Sequence, residues 1–184
     1  SAKLAKVDGV VTRDEIAKFK QVFRIATAEI KDVGAIFNEA RKNADDFEPY
    51  AKQVAGMFHP NLAVLEELID ALFAIAKADG KLHESELQYL RSVARIFGFG
   101  DIEFARISAG HAPDPSAGPY LILGVSQDVS DEDLKLHHRR LVLQHHPDKL
   151  IAEGMPTEFI DQANQKLALI NSAYDQARKM RAKG

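Results

Sequence analysis

The side chains able to do chemistry fall in two places. The first is Leu143-Gln-His-His-Pro-Asp-Lys-Leu150, where a histidine pair runs into proline, aspartate and lysine. Proline lacks a donor, fixes its own φ and keeps the residue before it out of helical geometry, so the plainest reading is a helix stop. A packed core does not ask for that order, however. His146, Pro147 and Asp148 set an imidazole and a carboxylate on either side of one rigid residue. A metal site built from His137, His138, His145 and His146 fits poorly, because the two pairs lie two helical turns apart and no carboxylate converges on them. The chain has no cysteine, which excludes disulfides, thiolate zinc sites and cysteine nucleophiles. It also lacks a glycine-rich phosphate-binding loop, so it is not read as an ATPase.

The second place is a repeat. Ala5-Lys-Val-Asp-Gly-Val-Val-Thr-Arg-Asp-Glu-Ile-Ala-Lys-Phe19 aligns with Ala76-Lys-Ala-Asp-Gly-Lys-Leu-His-Glu-Ser-Glu-Leu-Gln-Tyr-Leu90. In both, an apolar residue (Val11, Leu82) follows the Asp by three positions and a Glu follows it by seven. The structural reading has Gly9 and Gly80 ending one helix while the acids favour the start of the next. Asp, Gly, apolar and Glu also fit four places of an EF-hand loop. The first and third ligand places would then be Leu4 and Lys6, or Ile75 and Lys77, which cannot ligate calcium, so an EF-hand is rejected. One divalent-metal site shared by Asp8, Glu15, Asp79 and Glu86 stays open as the alternative to pure capping. No other cofactor is indicated.

The elements that must position these residues are helices. At 46% hydrophobic, 28% charged and a formal net charge of -3, the chain of 184 residues has an ordinary globular composition, and the charge gives no sign of nucleic-acid binding. No apolar run reaches the roughly 20 residues of a membrane span. The chain opens at Ser1 as if a helix were already under way, so a missing upstream segment is expected. Thr12 with Glu15 predicts a capping box, and the stripe Ile16, Phe19, Val22, Phe23, Ile25 predicts the helix that follows. Further helices are predicted at Val33–Arg41, Phe47–Phe58, Leu62–Ala78, Glu84–Phe97 and Ile102–Ile107. Leu62–Ala78 is apolar nearly all round its middle and belongs at the centre of a bundle. Ser108–Pro119 holds three prolines and two glycines and reads as a linker. The domains are therefore 1–107, a linker at 108–118, and 119–184.

Beyond the linker, Pro119–Val125 is a short helix ended by Gly124. Ser130 caps a second, whose first turn carries Asp131, Glu132 and Asp133. Its apolar side is Leu134, His138, Leu141 and Val142, and its opposite face carries Lys135, Arg139, Arg140 and Gln144. A polar loop after Pro147 leads to a long last helix beginning at Pro156-Thr157. Its predicted stripe is Phe159, Ile160, Ala163, Leu167, Ile170, Ala173, Tyr174 and Ala177. Two stripes joined by a tight loop make an antiparallel helical hairpin. Tyr120 and Tyr174 are read as core residues.

The segments Tyr120-Leu-Ile-Leu-Gly-Val125, Ser130–Lys149 and Lys166–Ala177 occur in the order seen in the J domain of DnaJ/Hsp40 co-chaperones, and residues 119 to 180 resemble that family. The resemblance implies docking on ATP-bound Hsp70 (DnaK) and stimulation of its ATPase. On that reading His146, Pro147 and Asp148 are the trigger, and Lys135, Arg139, Arg140 and His138 form the basic contact face. Asp148 would accept paired bonds from an Hsp70 arginine. His138 stands where the family often has tyrosine, His137 where it has a small alanine and Gln144 where it has a cation. The face is less positive than usual, which implies selective or weaker Hsp70 binding.

The double Asp-Gly pattern of 1–107 resembles the TerB-like (tellurite-resistance-type) helical domain. The pairing, with its lengthened third J-domain helix, resembles the DjlA-like type. That type implies a membrane anchor upstream and a place on the cytoplasmic face of the bacterial inner membrane. The expectation is thus an all-α protein of two domains, a non-enzymatic Hsp70 co-chaperone. Its first domain supplies location, homodimer contacts or an unnamed client. An acidic metal-binding or stress-sensing module with a vestigial J domain is the alternative.

Overall fold

A computed structural model describes residues 12–25, 31, 34–35, 47–59, 61–111 and 118–182. All regular elements among them are helical: α1 (Arg13–Val22), α2 (Glu48–Phe58), α3 (Leu62–Ala76), α4 (Glu84–Ile96), α5 (Asp101–His111), α6 (Pro119–Leu123), α7 (Asp131–Gln144), α8 (Pro147–Ala152), a 3-10 turn at Thr157–Phe159, and α9 (Ile160–Arg181). Most of the helix predicted at Val33–Arg41 lies outside the described residues. The chain forms two compact units, Ser1–Gly98 and Phe99–Gly184.

The first unit is built round α3, which packs on α1, α2 and α4. Val64, Leu65, Ile69, Phe73 and Ile75 are all buried, as the apolar circumference of this helix requires. The same helix buries Glu66, Glu67 and Asp70, three acids that the apolar pattern does not place in a core. The capping box at Thr12 is present. The Thr12 N–H donates to Glu15 Oε2 at 2.7 Å, and the Glu15 N–H donates to Thr12 Oγ1 at 3.1 Å. The second copy of the repeat does the same at α4, where His83 is the N-cap and its N–H donates to Glu86 Oε2 at 2.9 Å. Gly80 sits at φ 86, a left-handed turn between α3 and α4 that glycine adopts without strain.

In the second unit α7 and α9 form the predicted hairpin, and α6 lies against α9. Tyr120, Leu123, Leu134, Leu141, Ile170, Ala173 and Ala177 make one apolar cluster, with Tyr174 packed on its edge. Lys166 occupies a buried place on the α9 stripe that the sequence pattern assigns to Leu167. A lysine can cover apolar surface with its methylene stem, which a pattern read by charge ignores.

Four elements differ from the sequence expectation. The first helix, α1, stops at Val22, short of Phe23 and Ile25 of its predicted stripe, with Arg24 turned to φ 44. A 3-10 turn at Thr157–Phe159 precedes α9 where the long helix was expected to begin. The other two are α5 and α8. The helix predicted at Ile102–Ile107 runs on through Ser108 to His111, into the stretch read as linker. No proline stands in the way before Pro113, and Gly110 leaves room for α9, since a Cβ there would lie 2.9 Å from Leu169 Cδ2. In addition, Pro147 does not lead into a loop: it opens α8.

Candidate functional site

The His-Pro-Asp tripeptide sits where the chain turns out of the hairpin's first helix. Ser130 starts that helix, its hydroxyl accepting from the Asp133 N–H at 3.0 Å. His145 ends it, donating from its backbone to Leu141 O at 2.9 Å, and the His145 side chain is buried. His146 leaves helical geometry at ψ 127, as a residue before proline must. Pro147 then takes the first position of α8. The donor that proline lacks has no intrahelical partner at that place, and its fixed φ already suits a helix. One residue therefore ends α7 through its neighbour and begins α8 itself.

The ring of His146 caps the new helix. Its Nδ1 accepts from the Asp148 N–H at 3.3 Å and lies 3.9 Å from Asp148 Oδ2. Pro147 and Leu150 face inward and are buried, while the Asp148 side chain is 89% exposed and that of His146 is 48% exposed. Beneath them α8 packs on both α7 and α9. The backbone closes from both ends, with the Leu150 N–H donating to His146 O at 3.0 Å and the Met155 N–H to Leu150 O at 2.9 Å. The arrangement holds the backbone of Asp148 on a buried footing and leaves its carboxylate exposed to solvent.

The cations predicted beside this turn do not all behave alike. Lys135 and Arg139 project from exposed positions of α7. Arg140 is also exposed, but its Nη2 lies 2.6 Å from His137 Nδ1. His138 is turned into the seam of the hairpin. Its Nε2 donates to Asn171 Oδ1 at 2.9 Å, and its ring stacks on Tyr174 with centroids 4.0 Å apart and planes 6° apart. It thus stands beside the basic face and joins the two helices. Leu136 and Leu143 are exposed on α7 and lie two turns apart.

Sequence reasoning missed a clasp at the far end of the hairpin. Arg181 donates through Nε to the Tyr120 hydroxyl at 3.0 Å, through Nη1 to Asp131 Oδ1 at 2.6 Å and through Nη2 to Gln127 O at 3.0 Å. Its partners are 50 to 61 residues away, so no local pattern signals it.

The four acids of the repeat are not seen gathered. Glu15 and Glu86 are buried, each closing a capping box on its own helix. Asp79 is exposed and accepts from the Lys81 N–H at 2.9 Å, while Asp8 lies outside the described residues. Among the described residues no three His, Asp or Glu side chains are placed to hold a metal ion. No described helix is long and apolar enough to cross a membrane.

The chain matches two family models, tellurite resistance protein TerB over residues 1–109 and the DnaJ domain over residues 118–179. Among curated proteins it is 31% identical to co-chaperone protein DjlA of Coxiella burnetii, the match covering 97% of this chain and 74% of the relative. It is 30% identical to the DjlA of Photobacterium profundum, over 96% of the chain and 73% of that protein, and 27% identical to the DjlA of Vibrio cholerae over the same shares. No solved structure matches. With both domains matched in order and the likeness running almost end to end, the chain belongs to the DjlA co-chaperone family, a TerB-type domain followed by a DnaJ domain.

Proposed function

We propose that this chain is a cytoplasmic Hsp70 co-chaperone that docks on an ATP-bound, DnaK-type partner and stimulates hydrolysis there, without being an enzyme itself. The observation that carries the reading is the exposure of Asp148, an almost fully exposed carboxylate on a turn that is anchored by the buried Pro147 and Leu150 and by the His146 ring on the Asp148 N–H. A carboxylate on a backbone held in this way accepts paired hydrogen bonds from an arginine without the cost of ordering the turn. Lys135, Arg139 and Arg140 supply the long-range attraction to an acidic surface, which sets encounter rate and register and weakens with salt. The resemblance supports the division of labour: the basic helix docks, and His146, Pro147 and Asp148 trigger. The TerB-type unit then contributes location, self-association or client contacts.

The test is single-turnover ATP hydrolysis by a DnaK-type Hsp70 with the full chain added over a range of salt. Stimulation that declines as salt rises is the expected result. A folded chain that gives none at low salt would overturn the proposal.

A further inference from the structure

His137 uses both ring nitrogens. Nε2 lies 2.8 Å from the Leu123 carbonyl oxygen and Nδ1 lies 2.6 Å from Arg140 Nη2. A carbonyl only accepts and a guanidinium only donates, so the neighbours dictate the tautomer: Nε2 carries the hydrogen and Nδ1 offers its lone pair. A ring held by these two partners is neutral. Its anchor is firm, because Leu123 ends α6 and the next residue, Gly124, is locked at φ 70 with its N–H on Leu121 O. The other end of the bridge is a cation of the basic face.

We propose that His137 is a positioning residue for partner binding: tethered to the Leu123 carbonyl, its neutral ring receives the Arg140 guanidinium and sets the direction in which Arg140 meets an acidic Hsp70 surface. This rests on the co-chaperone function proposed above. A guanidinium held before contact loses less rotamer freedom on binding than one free to sweep the solvent.

The device is sensitive to pH. The charged groups that face the ring are Arg140 on α7 and Arg106 on α5, both cations. Burial first, then these two charges, outweigh the bond to Leu123 and hold the imidazole below the ordinary 6.5. When the ring is protonated, Nδ1 becomes a donor, the bond to Arg140 is lost and the two cations repel. Aim is therefore kept at neutral pH and lost as pH falls below 6.5. Simple charge counting predicts the reverse, since an extra positive charge should tighten binding to an acidic surface.

The experiment uses the full chain, with histidine nitrogen NMR for the tautomer and affinity for ATP-bound Hsp70 measured from about pH 8 to about pH 5, a window that brackets the ordinary imidazole range and reaches well below it. The variants are His137→Asn, whose carbonyl oxygen falls near the place of Nδ1, and His137→Gln, whose amide falls near the place of Nε2. Expected are a neutral Nε2–H ring at pH above 7 and a parent affinity that drops relative to His137→Asn as pH falls. His137→Gln should be about three- to tenfold weaker than the parent at neutral pH, the worth of one hydrogen bond. Measuring the variants against the same Hsp70 cancels the titration of the partner. Three results overturn the assignment: a charged or Nδ1–H ring at neutral pH, a parent that tightens relative to His137→Asn on acidification, or both variants matching the parent throughout. If the parent itself fails to bind or stimulate Hsp70 while NMR shows the expected ring, the co-chaperone reading falls and takes the partner-binding role of His137 with it.

Discussion

Replacing Leu150 by alanine should loosen the turn that carries Asp148. Leu150 lies two residues after the aspartate, is 0% exposed, and is the apolar foot of a helix only six residues long. Alanine removes three carbons from a site with no solvent contact. The lost transfer energy is about 2.4 kcal/mol at roughly 0.8 kcal/mol per carbon, and incomplete collapse of the cavity raises the total to about 3 kcal/mol. A short helix next to the surface has room to settle, which keeps the figure near the low end of the known range. Two amides report on the turn directly, those of Leu150 and Met155, whose bonds close α8 on His146 O and Leu150 O. Native-state hydrogen exchange at both should speed up by about a hundredfold, the equivalent of 3 kcal/mol. Leu150→Met, which conserves volume, should stay within about tenfold of the parent. If alanine and methionine give the same rates, or exchange at the two amides does not change, burial of Leu150 is not what holds the turn.

Gly124→Ala should lower the urea midpoint by the equivalent of about 1–2 kcal/mol, because φ 70 is strained for any residue with a Cβ and that Cβ would meet Arg106 Cδ at 2.6 Å. An unchanged midpoint would mean that the α6 end is free to rearrange. Calcium, magnesium, manganese and zinc should leave the thermal midpoint where it is, since Glu15 and Glu86 already close capping boxes on their own helix starts. A rise that grows with metal concentration would instead favour the shared site with Asp8 and Asp79.

Much of this architecture is written in local chemistry. Thr12 with Glu15, Ser130 with its three following acids, and Gly124 each act within a few residues, and each acts in the structure as its type implies. The apolar circumference of α3 and the stripe of α9 are likewise local periodicities. What escaped was decided by contacts across the fold or by the double use of one residue. Pro147 reads as a stop because proline ends what precedes it, yet the same fixed φ makes it a good first residue, and the His146 cap and the burial of Leu150 accompany the helix it opens. Ser108–His111 look like linker by composition, but Gly110 under Leu169 serves packing. His137 and Arg181 are ordinary polar residues on helix faces until their partners, 14 and 50 to 61 residues away, are brought alongside. The tripeptide itself was legible as a motif. The exposure of Asp148 was not, because that depends on which neighbours are buried beneath it.

The central claim is that Asp148, held at an exposed place by the turn of His146 and Pro147, triggers hydrolysis on Hsp70. The direct measurement is single-turnover ATP hydrolysis by a DnaK-type Hsp70 with the full chain, with His146→Gln and with Asp148→Asn, after circular dichroism shows that all three are folded alike. The account expects stimulation by the parent and near-baseline rates with both variants. Full stimulation by a folded Asp148→Asn would contradict it.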